Sequence, residues 1–455
     1  MPDVRRFLAS RAWIAGGWAK DVLLVAGNDG LWSEVRSGCS SAEAHGAERV
    51  DAVLPGLVNA HSHAFQRAIA GLTERSAAGH DDFWSWRDRM YAAALRISPQ
   101  QLEAIAAMLY AELLAGGYTH VCEFHYLHND IDGRPYADAL EMSRALVRAA
   151  QRAGIGLTLL PTLYMRSGFG AASLRDDQRR FASTPESVLR AAETIRQENT
   201  GSPLITAGIA LHSLRAVDEG ALRECAGAAR AAGMPLHIHV AEQDQEVDDC
   251  LRVHGQRPIE WLLQHAAPDA GWNLVHATQA TGEELRALQA TGASIVLCPS
   301  TEANLGDGVF DLPAWLAAGG AWAIGSDSHV TREWCEELRL LEYSQRFLLK
   351  QRNVAARAAG QASTAAVLFE GALAGGAAAS GLPIAGLQVG RRADLCVVDT
   401  SAPSLAGIPA DHLFDALVFS SPGSRMRRTV VAGRDANLEA PVQPFTQAMR
   451  ALWLA

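Results

Sequence analysis

Two histidines separated by one residue, His61 and His63, close the apolar run "PGLVNAHSH". Side chains on a strand alternate between its two faces, so residues two apart look the same way and both imidazoles can reach one point. Imidazole nitrogen is a good donor to zinc or iron(II), and a shared cation is the chemistry such a pair suits. The same punctuation recurs along the chain. "VCEFHY" ends in Glu123 and His125, "IALHS" in His212, "PLHIHVAEQ" in His237, His239 and Glu242, "NLVHAT" in His276 and "AWAIGSD" in Asp327. Glu242 stands three residues past His239, where a carboxylate can reach water beside a cation without binding the cation, the position of a general acid/base. Asp327 is a hard anionic ligand that could also accept a proton. His276 is left to hydrogen-bond the attacked centre, or else to serve as a hydrogen-bonded core histidine.

These residues need a scaffold that brings many strand ends together. Between about residue 56 and residue 330 eight short apolar runs alternate with helical patterns, the order expected of a parallel sheet. In "SPQQLEAIAAMLYAELLAGG", Leu102, Ile105, Ala106, Leu109 and Leu113 follow helical spacing, Ser98 and Pro99 supply a start, and Gly116 with Gly117 supply a stop. Similar helices are predicted near 136–153, 185–198, 216–232, 281–291 and 311–319, and 330–375 reads as helical. Eight parallel strands with intervening helices close most simply into an α/β fold, the (β/α)8 TIM-type barrel, whose chemistry collects at the carboxyl ends of the strands. The flanks differ. Residues 5–50 and about 385–435 hold β-type runs such as "DVLLVAG" and "ADLCVVD" between glycine turns, which predicts a small β-sandwich domain made from both ends. The division is then 1–55 with 380–455 for the sandwich and 56–379 for the barrel. The glycine-, serine- and arginine-rich loop 165–184 is either a cover for the barrel mouth or a solvated insertion.

Composition narrows the function classes. With 455 residues, 49% hydrophobic and 20% charged, the chain has ample core for a globular protein. A net charge of -10 argues against nucleic acid or an anionic membrane as partner, since both demand a basic surface. The seven cysteines are scattered and form no C-x-x-C pair, which disfavours a disulfide framework or thiolate zinc site and suits a reducing cytoplasm. No targeting or transmembrane segment is predicted.

The constellation resembles the amidohydrolase superfamily, whose barrel carries H-x-H on strand one, histidines after strands five and six, and aspartate after strand eight. "GLQVGRRADLCVVD" and "VVAGR" are similar to that superfamily's C-terminal β signature, so the resemblance spans nearly the whole chain. It implies one divalent cation, Zn2+ or Fe2+, held by His61, His63, His239 and Asp327. Its binuclear members bridge two metals with a carboxylated lysine on strand four; here the only lysines are Lys20 and Lys350, neither in a barrel run. Mononuclear members are mostly deaminases. Among them, "HSHAFQRAIAGL", "FWSWRDRMY", "VCEFHYLH", "LHSLRAV" and "STEANLGDG" resemble the formimidoylglutamate deiminases of histidine degradation. That resemblance implies a small dicarboxylate amidine as substrate, Glu242, His276 and Asp327 as catalytic groups, Gln66, Arg87, Tyr126, His212 and Arg215 as substrate contacts, and a homodimer. A pocket for such a substrate needs cations at one end, and arginine forks suit carboxylates. Guanine deaminases and the chlorohydrolase and adenosylhomocysteine deaminase group share the metal site and are the rival enzymes. A barrel that binds metal without catalysis is the rival outside enzymes.

Overall fold

The computed structural model describes residues 4–75, 82–420 and 426–453. Four strands open the chain: β1 (Arg5–Ile14), β2 (Gly17–Ala26), β3 (Trp32–Arg36) and β4 (Glu48–Leu54). The barrel follows with β5 (Leu57–Ser62), β6 (Tyr118–His125), β7 (Gly156–Leu163), β8 (Ile205–Ala207), β9 (Ile209–Ser213), β10 (Leu236–Val240), β11 (Trp272–His276), β12 (Ser294–Leu297) and β13 (Trp322–Ile324). Three more, β14 (Leu395–Val398), β15 (Met426–Val431) and β16 (Arg434–Asp435), return to the first sheet.

The barrel strands pair in parallel in sequence order from β5 to β13, with β8 and β9 forming one interrupted strand beside β7. All eight apolar runs are therefore barrel strands. Their residues are buried on both faces, which is why these strands read as continuous apolar runs without alternation. The circle closes at one narrow place: Ser62 bridges Asp327, the Asp327 amide donates to the His61 carbonyl at 3.0 Å, and the His63 amide donates to the Asp327 carbonyl at 3.3 Å. Gly325 permits this approach, since a Cβ there would sit 2.5 Å from His61 Cβ.

The second sheet has seven strands in the order β16-β15-β14-β4-β1-β2-β3, antiparallel except where β1 meets β4. This is the small β domain built from both ends of the chain. One face buries Phe7, Val22, Leu24, Trp32, Val53 and Leu395, and the other buries Leu8, Leu23 and Val25.

Helix Pro99–Ala115 begins and ends at the anticipated signals, with Ser98 accepting from the Gln101 amide and Gly116 as its last cap. Helices Asp244–His254, Pro258–Ala266 and Val442–Trp453 were not anticipated. Nor was helix Leu413–Phe419, inside a stretch read as β, where Leu413, Phe414, Leu417 and Val418 are buried at helical spacing. The C-terminal helix packs on the barrel, where Trp453 Nε1 donates to the Ala68 carbonyl at 3.1 Å, so 380–455 is not β throughout. Loop 165–184 is anchored by Gln178, Arg180 and Phe181, which are fully buried, while Gly170, Ala172, Ser173, Arg175 and Asp176 are exposed. Among the described residues no helix is long and apolar enough to cross a membrane.

Candidate active site

Where β10, β11 and β13 end, the backbone enters the left-handed region at Ala241 (φ 50°), His276 (φ 70°), Ala277 (φ 51°), Asp327 (φ 48°) and His329 (φ 64°). Such conformations cost non-glycine residues about 1–3 kcal/mol each and persist only where neighbours over-determine them. Here strand-end hydrogen bonds do so: the Ala277 amide donates to the Val240 carbonyl at 3.0 Å and the Gln279 amide to the Ala241 carbonyl at 2.9 Å. The kinks turn His276 and Asp327 inward over the barrel axis.

There the imidazoles of His61, His63 and His239 converge. His61 Nε2 lies 3.1 Å from His63 Nε2 and 2.9 Å from His239 Nε2. Asp327 Oδ1 lies 3.5 and 3.4 Å from the Nε2 atoms of His61 and His63. Two of the rings have their tautomer set from behind, with His63 Nδ1 donating to the Phe124 carbonyl and His239 Nδ1 to the His212 carbonyl, each at 2.9 Å. Both therefore present an Nε2 lone pair to the same point. His61 Nε2 could donate to only one of them, and its Nδ1 is buried with no partner. Burial, reinforced by the neighbouring rings, holds His61 and His239 well below the ordinary histidine range, so proton sharing does not relieve the crowding. Three nitrogens meeting with at most one proton among them, beside a carboxylate, fit a divalent cation; the three imidazoles form one candidate ligand group, and His61, His276 and Asp327 form an overlapping one.

The candidate acid/base residues flank this point. His276 Nε2 is 3.6 Å from Glu242 Oε1 and 3.7 Å from Asp327 Oδ2, while His276 Nδ1 is 3.3 Å from Glu302 Oε1. Burial opposes charge on His276, but Glu242, Glu302 and Asp327 outweigh it and raise the ring above the histidine range. Burial raises the Glu242 carboxyl above the ordinary carboxylate range, with His276 pulling it back. A carboxyl that can hold or release a proton near neutrality is suited to shuttling one.

Above lies a pocket lined by all of the anticipated site residues except His61, which is wholly buried behind them. The Arg87 guanidinium lies over the rings of Trp84 (4.5 Å) and Tyr91 (5.4 Å), and that of Arg215 over Trp84 at 5.9 Å. The Nε atoms of both arginines are buried and unpartnered, with Glu246 no closer than 4.0 Å to Arg215. Gln66 Nε2 donates to the Tyr126 hydroxyl at 3.1 Å and its Oε1 is unpartnered. His212 Nδ1 lies 3.2 Å from Ser213 Oγ.

Other polar strand ends do not join. His237 Nε2 donates to the Ala379 carbonyl, nearer the start of its strand than His239, and His125 packs against His128. Glu123 accepts from Ser62 Oγ and the Ala64 amide, both at 2.6 Å, and so braces the turn that carries His63. Two carboxylates escaped the sequence reading: Glu302, against His276, and Glu246, which accepts from the Glu242 amide at 3.2 Å. Glu302 falls in "STEANLGDG", which stood out as a motif without a role for its glutamate.

Residues 52–435 match the family described as the Amidohydrolase family. A formimidoylglutamate deiminase of Pseudomonas aeruginosa is 48% identical over 94% of this chain and 93% of its own length. A 5-methylthioadenosine/S-adenosylhomocysteine deaminase of Halobacterium salinarum is 30% identical over 89% of this chain and 86% of its own. Among solved structures, an amidohydrolase from Brucella melitensis superposes with a TM-score of 0.93 at 41% identity, covering 99% of this chain and all of that one.

Proposed function

The chain belongs to the amidohydrolase family, and from that premise we propose that it is a hydrolase of carbon–nitrogen bonds that converts N-formimino-L-glutamate to N-formyl-L-glutamate and ammonia. The observation that carries this reading is the polarity of the pocket. Two guanidinium groups, that of Arg215 buried and that of Arg87 half-buried, both with unpartnered Nε atoms, line it together with the converging imidazoles, as a molecule with carboxylates and an amidine requires. Guanine has no carboxylate for either arginine, and S-adenosylhomocysteine has one where formiminoglutamate has two.

His61, His63, His239 and Asp327 would hold the cation, zinc or iron(II) by donor type. When bound, it supplies Lewis acidity, acidifying water and polarising the carbon under attack. Glu242 takes a proton from water as the oxygen adds to the amidine carbon and delivers it to the imino nitrogen. His276 donates from Nε2 to the oxygen of the tetrahedral adduct. Asp327 passes the second proton to the nitrogen, the carbon–nitrogen bond breaks, and ammonia leaves. Arg87 and Arg215 fork the carboxylates, Gln66, Tyr126 and His212 line the chain between, and the neighbouring aromatic rings exclude water.

By the same resemblance the protein acts in histidine degradation as a cytoplasmic homodimer, a setting compatible with its seven free, buried cysteines. The proposed division is 1–55 with 380–455 and 56–379; the separate seven-stranded sheet supports it, although helix Val442–Trp453 lies on the barrel. Ammonia release by metal-loaded protein tests the function across a panel of N-formimino-L-glutamate, a simple formamidine without carboxylates, guanine and S-adenosylhomocysteine. Turnover of the first far above the others is expected. Preference for a purine would replace the reading, and silence on all four would leave a metal-binding scaffold.

A further inference from the structure

Strand β12 supplies no ligand to the candidate cation site and no acid or base, yet the helix that follows it, Pro299–Leu305, touches both catalytic neighbours. Its second, third and fourth residues each make one connection. Ser300 donates from its amide (2.9 Å) and hydroxyl (2.6 Å) to Glu337, fully buried on helix Trp334–Leu349. Thr301 Oγ1 accepts from the Ser328 amide at 3.1 Å and lies 2.9 Å from Ser328 Oγ, one residue past Asp327. Glu302 Oε1 accepts from the Cys298 amide at 2.8 Å and lies 3.3 Å from His276 Nδ1. Ser300 thus fixes the segment to the outer helix, Thr301 ties it to the strand end bearing Asp327, and Glu302 ties it to the strand end bearing His276.

We infer that Ser300, Thr301 and Glu302 form an orienting segment in which Glu302 is the positioning residue for His276. An imidazole turns about its outer torsion between two broad, roughly equivalent wells. Turning it over exchanges Nδ1 with Cδ2 and Nε2 with Cε1, which would aim carbon instead of N–H into the pocket. With Nδ1–H engaged by Glu302 Oε1, the ring has one favoured orientation, and Nε2 faces Glu242 and Asp327. The requirement is an acceptor at that place, not the charge of the carboxylate.

This rests on the proposed hydrolysis, so the test has one readout that needs no substrate. In zinc-loaded protein labelled with nitrogen-15 in its histidine rings, the His276 Nδ1–H resonance, assigned by its loss in His276→Gln, should persist in Glu302→Gln, which keeps the amide oxygen as acceptor. It should be lost or exchange-broadened in Glu302→Met, which fills the same space without one. In kinetics, Glu302→Met should lower kcat about 10–100-fold with KM and zinc content little changed, and Glu302→Gln should recover most of that loss. The proposal is overturned if the Nδ1–H signal survives in Glu302→Met, if the two variants lose kcat equally, or if kcat falls only in step with zinc content and Tm. Wild-type protein inert toward formiminoglutamate but showing the expected resonances would sink the substrate reading and leave the positioning role standing.

Discussion

The barrel buries polar clusters at both of its ends, and they are built oppositely. At the floor, Arg392 grips Asp394 (Nε to Oδ1 3.0 Å, Nη2 to Oδ2 2.7 Å), and donates to His120 Nδ1 at 3.0 Å and to the Thr119 carbonyl at 3.1 Å. His120 Nε2 then donates to Thr158 Oγ1 at 2.8 Å, and Thr158 donates to the Ser380 carbonyl at 2.9 Å. Each donor in that chain has an acceptor. At the mouth, three imidazole nitrogens meet with at most one proton among them, and the Nε atoms of Arg87 and Arg215 have no acceptor. Burial and residue type are alike in the two places; the balance of donors against acceptors is not. A buried cluster whose balance closes joins pieces of structure, here the β sheet to the barrel, whereas one left open is completed by something that binds.

If that contrast is sound, substitutions at the two ends should separate activity from stability. The largest effect expected is at Glu242→Gln: kcat lower by about 10²–10⁴-fold, with zinc content and Tm at wild-type values, because an isosteric amide removes proton transfer and little else. Retained turnover would take the acid/base role from Glu242. The floor should answer the other way. Arg392→Met leaves Asp394 and His120 buried without their cation and should destabilise by about 3–5 kcal/mol in urea unfolding, while kcat per bound zinc holds. A fall in kcat with unchanged stability would mean that the floor communicates with the mouth.

The same contrast explains what the sequence could disclose. His61, His63, His239 and Asp327 were legible because each ends an apolar run, and in a parallel barrel all such ends gather in one place. His237 satisfies the same pattern and was separable only by depth: it shares a face with His239 but sits one pleat nearer the strand start, where it bonds Ala379. Arg392 and Asp394 lay inside a recognised signature, yet nothing in "GRRADL" says which arginine is buried; Arg392 is 2% exposed because it lies under the sheet against the strand starts. Glu302 and Glu246 were invisible for a related reason. Each sits on a helix past a strand end, where a carboxylate reads as solvated unless the packing that turns it inward is known. The β-rich reading of 385–435 missed helix Leu413–Phe419 because a seven-residue apolar run fits either period.

A smaller effect is expected at the cationic side of the mouth. Arg215→Met removes a fork with an open Nε and should raise KM for formiminoglutamate about 10–100-fold, since a hydrogen bond to a charged group contributes about 1.5–3 kcal/mol. A substrate analogue without carboxylates should be nearly indifferent to the change. Equal losses on both substrates would assign Arg215 to the scaffold and move it, in this comparison, to the floor's class.

The gentlest test uses pH and the floor's histidine. Burial, and then the adjacent Arg392, hold His120 well below the ordinary range of about 6.5. The folded protein therefore keeps this ring neutral where the unfolded chain protonates it, and the ring's contribution is present above pH 6.5 and lost as pH falls. One such group adds at most about 1.4 kcal/mol per pH unit to the slope. His120→Asn places an amide oxygen where Nδ1 accepts from Arg392 and cannot titrate. Urea midpoints of zinc-loaded protein between pH 7 and pH 5 should fall less steeply for the variant than for wild type. The acid sensitivity of His61, His63 and His239 is common to both proteins and cancels in the difference. Parallel slopes would mean that His120 takes up its proton alike in both states, and the floor would then not be the sealed, charge-balanced counterpart of the mouth.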